Sequence, residues 1–149
     1  MDTGILSPNP NSAWGAPTFA IPKKDRKIRI VSDFRELNKR LVCTSFWLPN
    51  IRDLCDLILY HIKYFTTLDI LQGYYQLKLS SQSRDICTIV VPWGKFCYNS
   101  LSMGIGFSPD LFQRALGDLF LDMQNVLIYL DNILIVSHRS FKKTSTLLT

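Results

Sequence analysis

Two β-branched apolar runs, Val126-Leu127-Ile128 and Ile133-Leu134-Ile135-Val136, are separated by only Tyr129-Leu130-Asp131-Asn132. They read as two short strands joined by a tight polar turn, with Asp131 and Asn132 at the tip of a hairpin. An aspartate held there by buried strands is a rigid mount for a metal ion. A third strand-like run, Phe65-Thr66-Thr67-Leu68, leads directly into Asp69. Two aspartates at the ends of neighbouring strands can share Mg²⁺, a hard cation usually held by one or two carboxylates plus substrate phosphates. Such a pair suits in-line phosphoryl transfer. From spacing alone, single aspartates ending turns are the alternative.

The rest of the pattern is mixed. Thr18–Ile21 and Ile28–Val31 flank the charged segment 22–27 and read as a hairpin, while residues 1–17 read as an irregular lead-in. Asp33 and Glu36 have capping-box spacing and would open a short helix to about Arg40. Asn50 would cap a second helix with its apolar face at Ile51, Leu54, Cys55, Ile58, Leu59 and Ile62. Gln76–Leu79, Ile86–Val91 and Phe96–Leu101 read as strands, with Trp93-Gly94-Lys95 as a turn. Ser108-Pro109 starts a helix whose apolar face carries Leu111, Phe112, Ala115, Leu116, Leu119, Phe120 and Met123. Pro109, Phe112 and Gln113 read as starting and packing that helix. Strands and helices without βαβ alternation predict an α+β fold.

Charge narrows the partners. Eight basic residues against three acidic ones lie between Lys23 and Arg40, and this segment accounts for the entire net charge of +5. A basic patch on a neutral body suggests a polyanion bound at one place; a solvated lysine-rich turn is the alternative. Cys43, Cys55, Cys87 and Cys97 share no zinc-binding spacing and are expected to be buried free thiols. His61 and His138 have no partners at metal spacing. No apolar run reaches the ~18 residues that span a bilayer, and the start lacks signal-peptide character. The expectation is an intracellular protein of the cytoplasm or nucleus, not secreted and without a membrane partner.

Five ordered blocks carry a family resemblance. They are Asn11-Ser12-Ala13-Trp14-Gly15-Ala16-Pro17, then Ile28 to Lys39, Leu68-Asp69-Ile70-Leu71-Gln72-Gly73-Tyr74-Tyr75-Gln76-Leu77, Met103 to Gln113, and Tyr129–Asn132. In order and spacing they resemble the fingers and palm of a reverse transcriptase, most similar to gypsy-type long-terminal-repeat retrotransposons. The resemblance implies a polymerase fold with an antiparallel palm sheet packed on helices, incomplete at both ends. Residues up to about 64 would be mostly fingers, about 65–137 mostly palm, and 138–149 a divergent tail without thumb or RNase H.

It also implies roles. Asp69 and Asp131 would hold two Mg²⁺ or Mn²⁺ ions, with the Ile70 carbonyl as a further ligand and Asn132 as a weak one. Arg29 would grip a nucleotide triphosphate as a planar fork, with Lys23 or Lys24 adding point charge; the alternative pairs Arg29 with Asp33 or Glu36. Backbone N–H groups of Gln72 and Gly73 would donate to the same phosphates. Tyr74 would exclude a 2′-hydroxyl, or else serve as a core aromatic. Met103 and Gly104 lie in the motif behind the incoming nucleotide, where glycine permits close backbone approach. Arg35, Lys39 and Arg40 would contact nucleic acid. The implied partners are an RNA or DNA template with its primer, deoxynucleoside triphosphates, and a missing thumb and RNase H or an intact element copy.

Four departures from the family pattern stand out. Asn132 replaces the second aspartate of Tyr-x-Asp-Asp, removing one negative charge. Ser102 stands where proline is usual, and Phe107 where a small polar residue is usual. Cys43–Phe46 also differs from the basic-proline pattern. Two functions therefore remain open: template-directed nucleotidyl transfer, or a truncated, impaired remnant that only binds nucleic acid.

Overall fold

The computed structural model describes residues 4–22, 28–42, 56, 63–123 and 125–137. The expected helix after Asn50, the hairpin tip with Lys23 and Lys24, Cys43, Cys55, both histidines and the tail from 138 lie outside the described residues. In chain order the elements are β1 (Leu6–Pro8), β2 (Ala16–Pro22), β3 (Ile28–Ser32), α1 (Arg35–Asn38), β4 (Tyr64–Asp69), α2 (Gly73–Gln76) and α3 (Ser81–Ile86). There follow β5 (Thr88–Val91), β6 (Gly94–Tyr98), α4 (Ser108–Leu119), β7 (Val126–Tyr129) and β8 (Asn132–Ser137). Two compact units result: Met1–Thr44 with Tyr74–Ser108, and Ser45–Gly73 with Pro109–Thr149. No helix among the described residues is long and apolar enough to cross a membrane.

The first unit carries a five-stranded sheet in the order β1-β6-β5-β2-β3. All pairings are antiparallel except β2 with β5, which run parallel through Ala16↔Ile89 and Pro17↔Val90. Its core gathers Ala16, Phe34, Leu37, Cys87, Ile89, Tyr98 and Ile105. Cys87 and Cys97 are buried free thiols, as the sequence implies. Burial pushes the Cys87 thiol up to about 11, with Cys97 nearby adding to the shift.

Several local expectations are corrected here. Part of the lead-in is ordered strand, because β1 pairs with β6 through Leu6↔Tyr98. The capping box does not form. Asp33 is taken by the Arg35 N–H and guanidinium, and Glu36 by Lys39, so the helix begins behind Phe34 without a side-chain cap. Ile86 ends a helix rather than starting a strand. Ser80 accepts from the Ser83 N–H and caps α3, which uses the residues up to Ile86. Gln76 ends the single turn of α2, so Leu77–Leu79 is left as an isolated bridge, Lys78↔Ser100, beside that turn. The β5–β6 turn is Pro92-Trp93, closed by Val91↔Gly94. Gly94 supplies the positive φ of +141° there. Strand β6 stops at Tyr98 because the Asn99 amide turns to the Gly4 carbonyl and the Ser7 hydroxyl.

The second unit is an antiparallel three-stranded sheet, β4-β8-β7, with β8 in the centre. This is the antiparallel sheet expected of an α+β polymerase fold. Ile133, Ile135 and Val136 are buried on the central strand, which is the burial that β-branched runs predict. Helix α4 starts at Ser108 as expected, but its apolar face is narrower than the sequence suggests. Phe112 and Leu116 are buried beside a buried polar residue, Gln113, while Leu111 and Leu119 stay exposed and Met123 lies beyond the helix.

Candidate active site

Sheet register builds the first half of the site. Strand β4 pairs with β8 from Tyr64↔Ser137 through Leu68↔Ile133 to Asp69↔Asn132. Strand β7 pairs with the other side of β8 and ends at Tyr129↔Asn132. The hairpin turn is thus Leu130-Asp131, and Asn132 is the first residue of β8, not part of the tip. Asn132 therefore stands opposite Asp69 on one side and Tyr129 on the other. The Ile70 N–H donates to the Asp131 carbonyl at 2.8 Å, which ties the residue after Asp69 to the turn. Asp69, Asp131 and Asn132 are all exposed.

Leu130 adopts φ +51°, a left-handed conformation that hairpin turns normally give to Gly or Asn and that is a genuine outlier for a bulky residue. Buried Gln113 holds it. The Leu130 N–H donates to Gln113 Oε1 at 2.7 Å, and Gln113 Nε2 donates to the Ile128 carbonyl at 3.0 Å. Among the described residues Gln72, after Asp69, is the other non-glycine residue with positive φ, at +55°. Gly73 then packs against Phe112, where an added Cβ would come within 2.5 Å of the ring.

The donor set fits a hard cation completed by substrate oxygens. Two exposed carboxylates lie at the same end of one sheet, and one or two carboxylates are the usual protein share of a Mg²⁺ site. The third position is an amide whose Nδ2 donates to Asp131 Oδ1 at 3.2 Å. No group of three or more His, Cys, Asp or Glu side chains that could enclose a metal occurs among the described residues.

The first unit holds the glycine motif. Gly104 has φ +93°, and a Cβ there would lie 3.4 Å from the Ser32 carbonyl and 3.6 Å from the Phe34 ring. Asn38, the last residue of α1, clamps this turn: Nδ2 donates to the Gly104 carbonyl at 2.8 Å, and the Gly106 N–H donates to Oδ1 at 2.8 Å. Arg29 reaches Met103 Sδ at 3.7 Å and remains exposed. The alternative pairing of Arg29 with Asp33 or Glu36 is not what forms, because those carboxylates bond Arg35 at 2.6 Å and Lys39 at 2.7 Å. The Arg35 hydrogen bonds hold the Asp33 carboxyl down at about 2. Arg40 lies 5.5 Å over the Trp14 ring. Tyr75 packs on the core, stacked with Tyr98 at 6.2 Å. Ser102 is fully buried and its hydroxyl has no partner, which carries a desolvation cost.

Two residues that shape these turns, Gln113 and Asn38, are not among the candidates the sequence suggests. For Gln113 a signal existed: a carboxamide interrupts the apolar stripe between Phe112 and Leu116. Asn38 gave none beyond its place at the end of the second block.

Residues 21–148 match the reverse transcriptase (RNA-dependent DNA polymerase) family. The chain is 32% identical over 133 residues to a retrovirus-related Pol polyprotein from transposon 412 of Drosophila melanogaster, covering 84% of this chain and 11% of the relative. It is 31% identical over 148 residues to the Pol polyprotein from transposon gypsy of the same species, covering 92% of this chain and 14% of the relative. Among solved structures, prototype foamy virus protease–reverse transcriptase (a CSH mutant) superposes with a TM-score of 0.85 at 29% identity, over 97% of this chain and 19% of that one. A foamy viral protease–reverse transcriptase in complex with an RNA/DNA hybrid gives 0.83 at 25% identity, with the same coverages. The chain thus spans a small part of the length of the proteins it matches, and it belongs to the reverse transcriptase family.

Proposed function

We propose that this chain contributes the catalytic carboxylates and the nucleotide-facing turn of an RNA-directed DNA polymerase, performing template-directed nucleotidyl transfer inside the cell. The observation that carries the reading is the placement of Asp69, Asp131 and Asn132 at one end of an antiparallel sheet. Asp69, Asp131 and the Ile70 carbonyl would hold Mg²⁺ or Mn²⁺, two ions in the full reaction, with Asn132 a weak neutral ligand. When bound, such ions lower the pKa of an attacking hydroxyl and neutralise a leaving pyrophosphate.

The chain's own residues do the rest. Exposed Arg29 offers a planar set of donors to the triphosphate, aided by Lys23 and Lys24. The Gln72 and Gly73 amides add donors, Tyr74 restricts the sugar's 2′ position, and Met103 and Gly104 border the nucleotide. Arg35, Lys39 and Arg40 contact template or primer phosphates. Arg35 and Lys39 already have carboxylate partners, so their contacts exchange one ion pair for another. A thumb and RNase H, or an intact element copy, would supply the remaining grip on the duplex.

Primer extension with Mn²⁺ and deoxynucleoside triphosphates tests this. Extension by the wild-type chain and its loss in Asp69→Ala and Asp131→Ala support the reading; identical traces from all three reject it.

One observation favours a second reading. Asn132 turns an amide N–H toward Asp131, where the family presents a carboxylate, so the site carries less charge for cations. On this reading the chain is a remnant that binds nucleic acid through its basic segment. It predicts salt-sensitive, sequence-independent binding with no incorporation, weakened by neutralising Lys23, Lys24 and Arg29.

A further inference from the structure

The Asp131 turn combines a strained residue with restraint from two sides. A leucine occupies φ +51° at the first turn position. Its N–H and the carbonyl two residues before it are both taken by one side chain, Gln113, which is 6% exposed. From the other side, the Ile70 N–H holds the Asp131 carbonyl. Strained conformations persist only where the surroundings over-determine them. A carboxamide is the side chain that can do this here, because it donates to a carbonyl and accepts from an N–H with the same planar group.

We propose that Gln113 is a positioning residue for the cation site. By holding Leu130 in the left-handed region it fixes where the Asp131 carboxylate points, and so sets the affinity for a divalent ion. The inference rests on the cation-site reading above, and it concerns a residue that does not touch the ion. Releasing the clamp lets the turn relax toward the ordinary conformations of leucine, which outweigh the left-handed one by about 5- to 30-fold. A glycine at 130 has no such preference. Loss of the clamp is therefore repairable at a different residue, which would not be so if Gln113 only packed the helix.

The test is Mn²⁺ titration of the full chain, followed by the electron paramagnetic resonance of free Mn²⁺, for wild type, Gln113→Met, Leu130→Gly and the double variant. The expected result is about tenfold weaker binding for Gln113→Met, binding within about twofold of wild type for Leu130→Gly, and recovery of most of the loss in the double variant. Wild-type affinity in Gln113→Met, or no recovery in a folded double variant, overturns the inference. Hydrogen exchange at the Leu130 amide needs no variant: the clamp predicts protection in the wild-type chain without metal, and exchange at the rate of an open turn overturns it. A wild-type chain that binds no Mn²⁺ ends the cation-site reading and this inference together. Binding that ignores Gln113 ends the inference alone.

Discussion

The turn at Met103–Gly106 and the turn at Tyr129–Asn132 are held in the same way but built from different residues. Each is bracketed by a single carboxamide that donates to one main-chain carbonyl and accepts from one main-chain N–H, Asn38 in the first unit and Gln113 in the second. In the first turn the positive φ falls on Gly104, and the clamp comes from a short helix near the surface. In the second it falls on Leu130, and the clamp is buried in a longer helix. Glycine needs only to be located, whereas leucine has to be held. The more demanding turn is the one that carries Asp131, the proposed metal ligand, which would agree with strain collecting at functional sites.

Breaking the clamp at the glycine turn has the largest expected effect on stability. In Asn38→Asp a carboxylate oxygen replaces the donor that faces the Gly104 carbonyl. Urea unfolding should show a loss of about 1–3 kcal/mol. An unchanged midpoint would mean that the turn needs no clamp.

Exchanging the turn residues should give opposite signs. Gly104→Ala places a Cβ in a left-handed conformation, close to the Ser32 carbonyl and the Phe34 ring, and should cost about 1–2 kcal/mol. Leu130→Gly relieves a similar strain but frees the unfolded chain, and should stabilise by about 0.5–1 kcal/mol. Thermal melts of both variants decide it, and two shifts of the same sign would dissolve the contrast between the turns.

The smallest effect separates Asn38 from its neighbours on α1. The Arg35 hydrogen bonds hold the Asp33 carboxyl at about 2, below its ordinary value of 3.8. A depressed carboxyl contributes stability above its unfolded value and loses it as pH falls from about 4 to about 2. The pair is exposed, so the contribution is small and screened by salt. Acid titrations of wild type and Arg35→Met should therefore converge below about pH 2 and differ little in high salt at any pH. A large, salt-resistant difference would make Arg35 rather than Asn38 the anchor of this helix.

The paired strands around the second turn were legible because β-branched runs separated by four residues admit little else, and because Asp69 ends a matching run. The ordered blocks made the polymerase-type fold legible as well. What could not be read were choices decided between distant or competing partners. Asp33 had two possible roles, capping Glu36 or bonding Arg35, and the guanidinium won because it adds several charged hydrogen bonds to one carboxylate. Ile86 fits a strand by composition, but the Ser80 cap upstream committed it to helix α3. Asn132 looked like turn tip until register made it a strand residue opposite Asp69. Gln113 looked like helix packing because its partners lie 15 and 17 residues away, on a strand whose register the sequence does not state.

Asp131→Asn tests the central claim most directly, since it removes one charge and leaves the shape of the turn unchanged. In primer extension with Mn²⁺, transfer that depends on this carboxylate should fall at least about a hundredfold, on the order of the stabilisation a single well-placed group supplies to developing charge, while the melting temperature stays within a few degrees of wild type. Extension by the Asp131→Asn variant at the wild-type rate would contradict the assignment of this turn to catalysis.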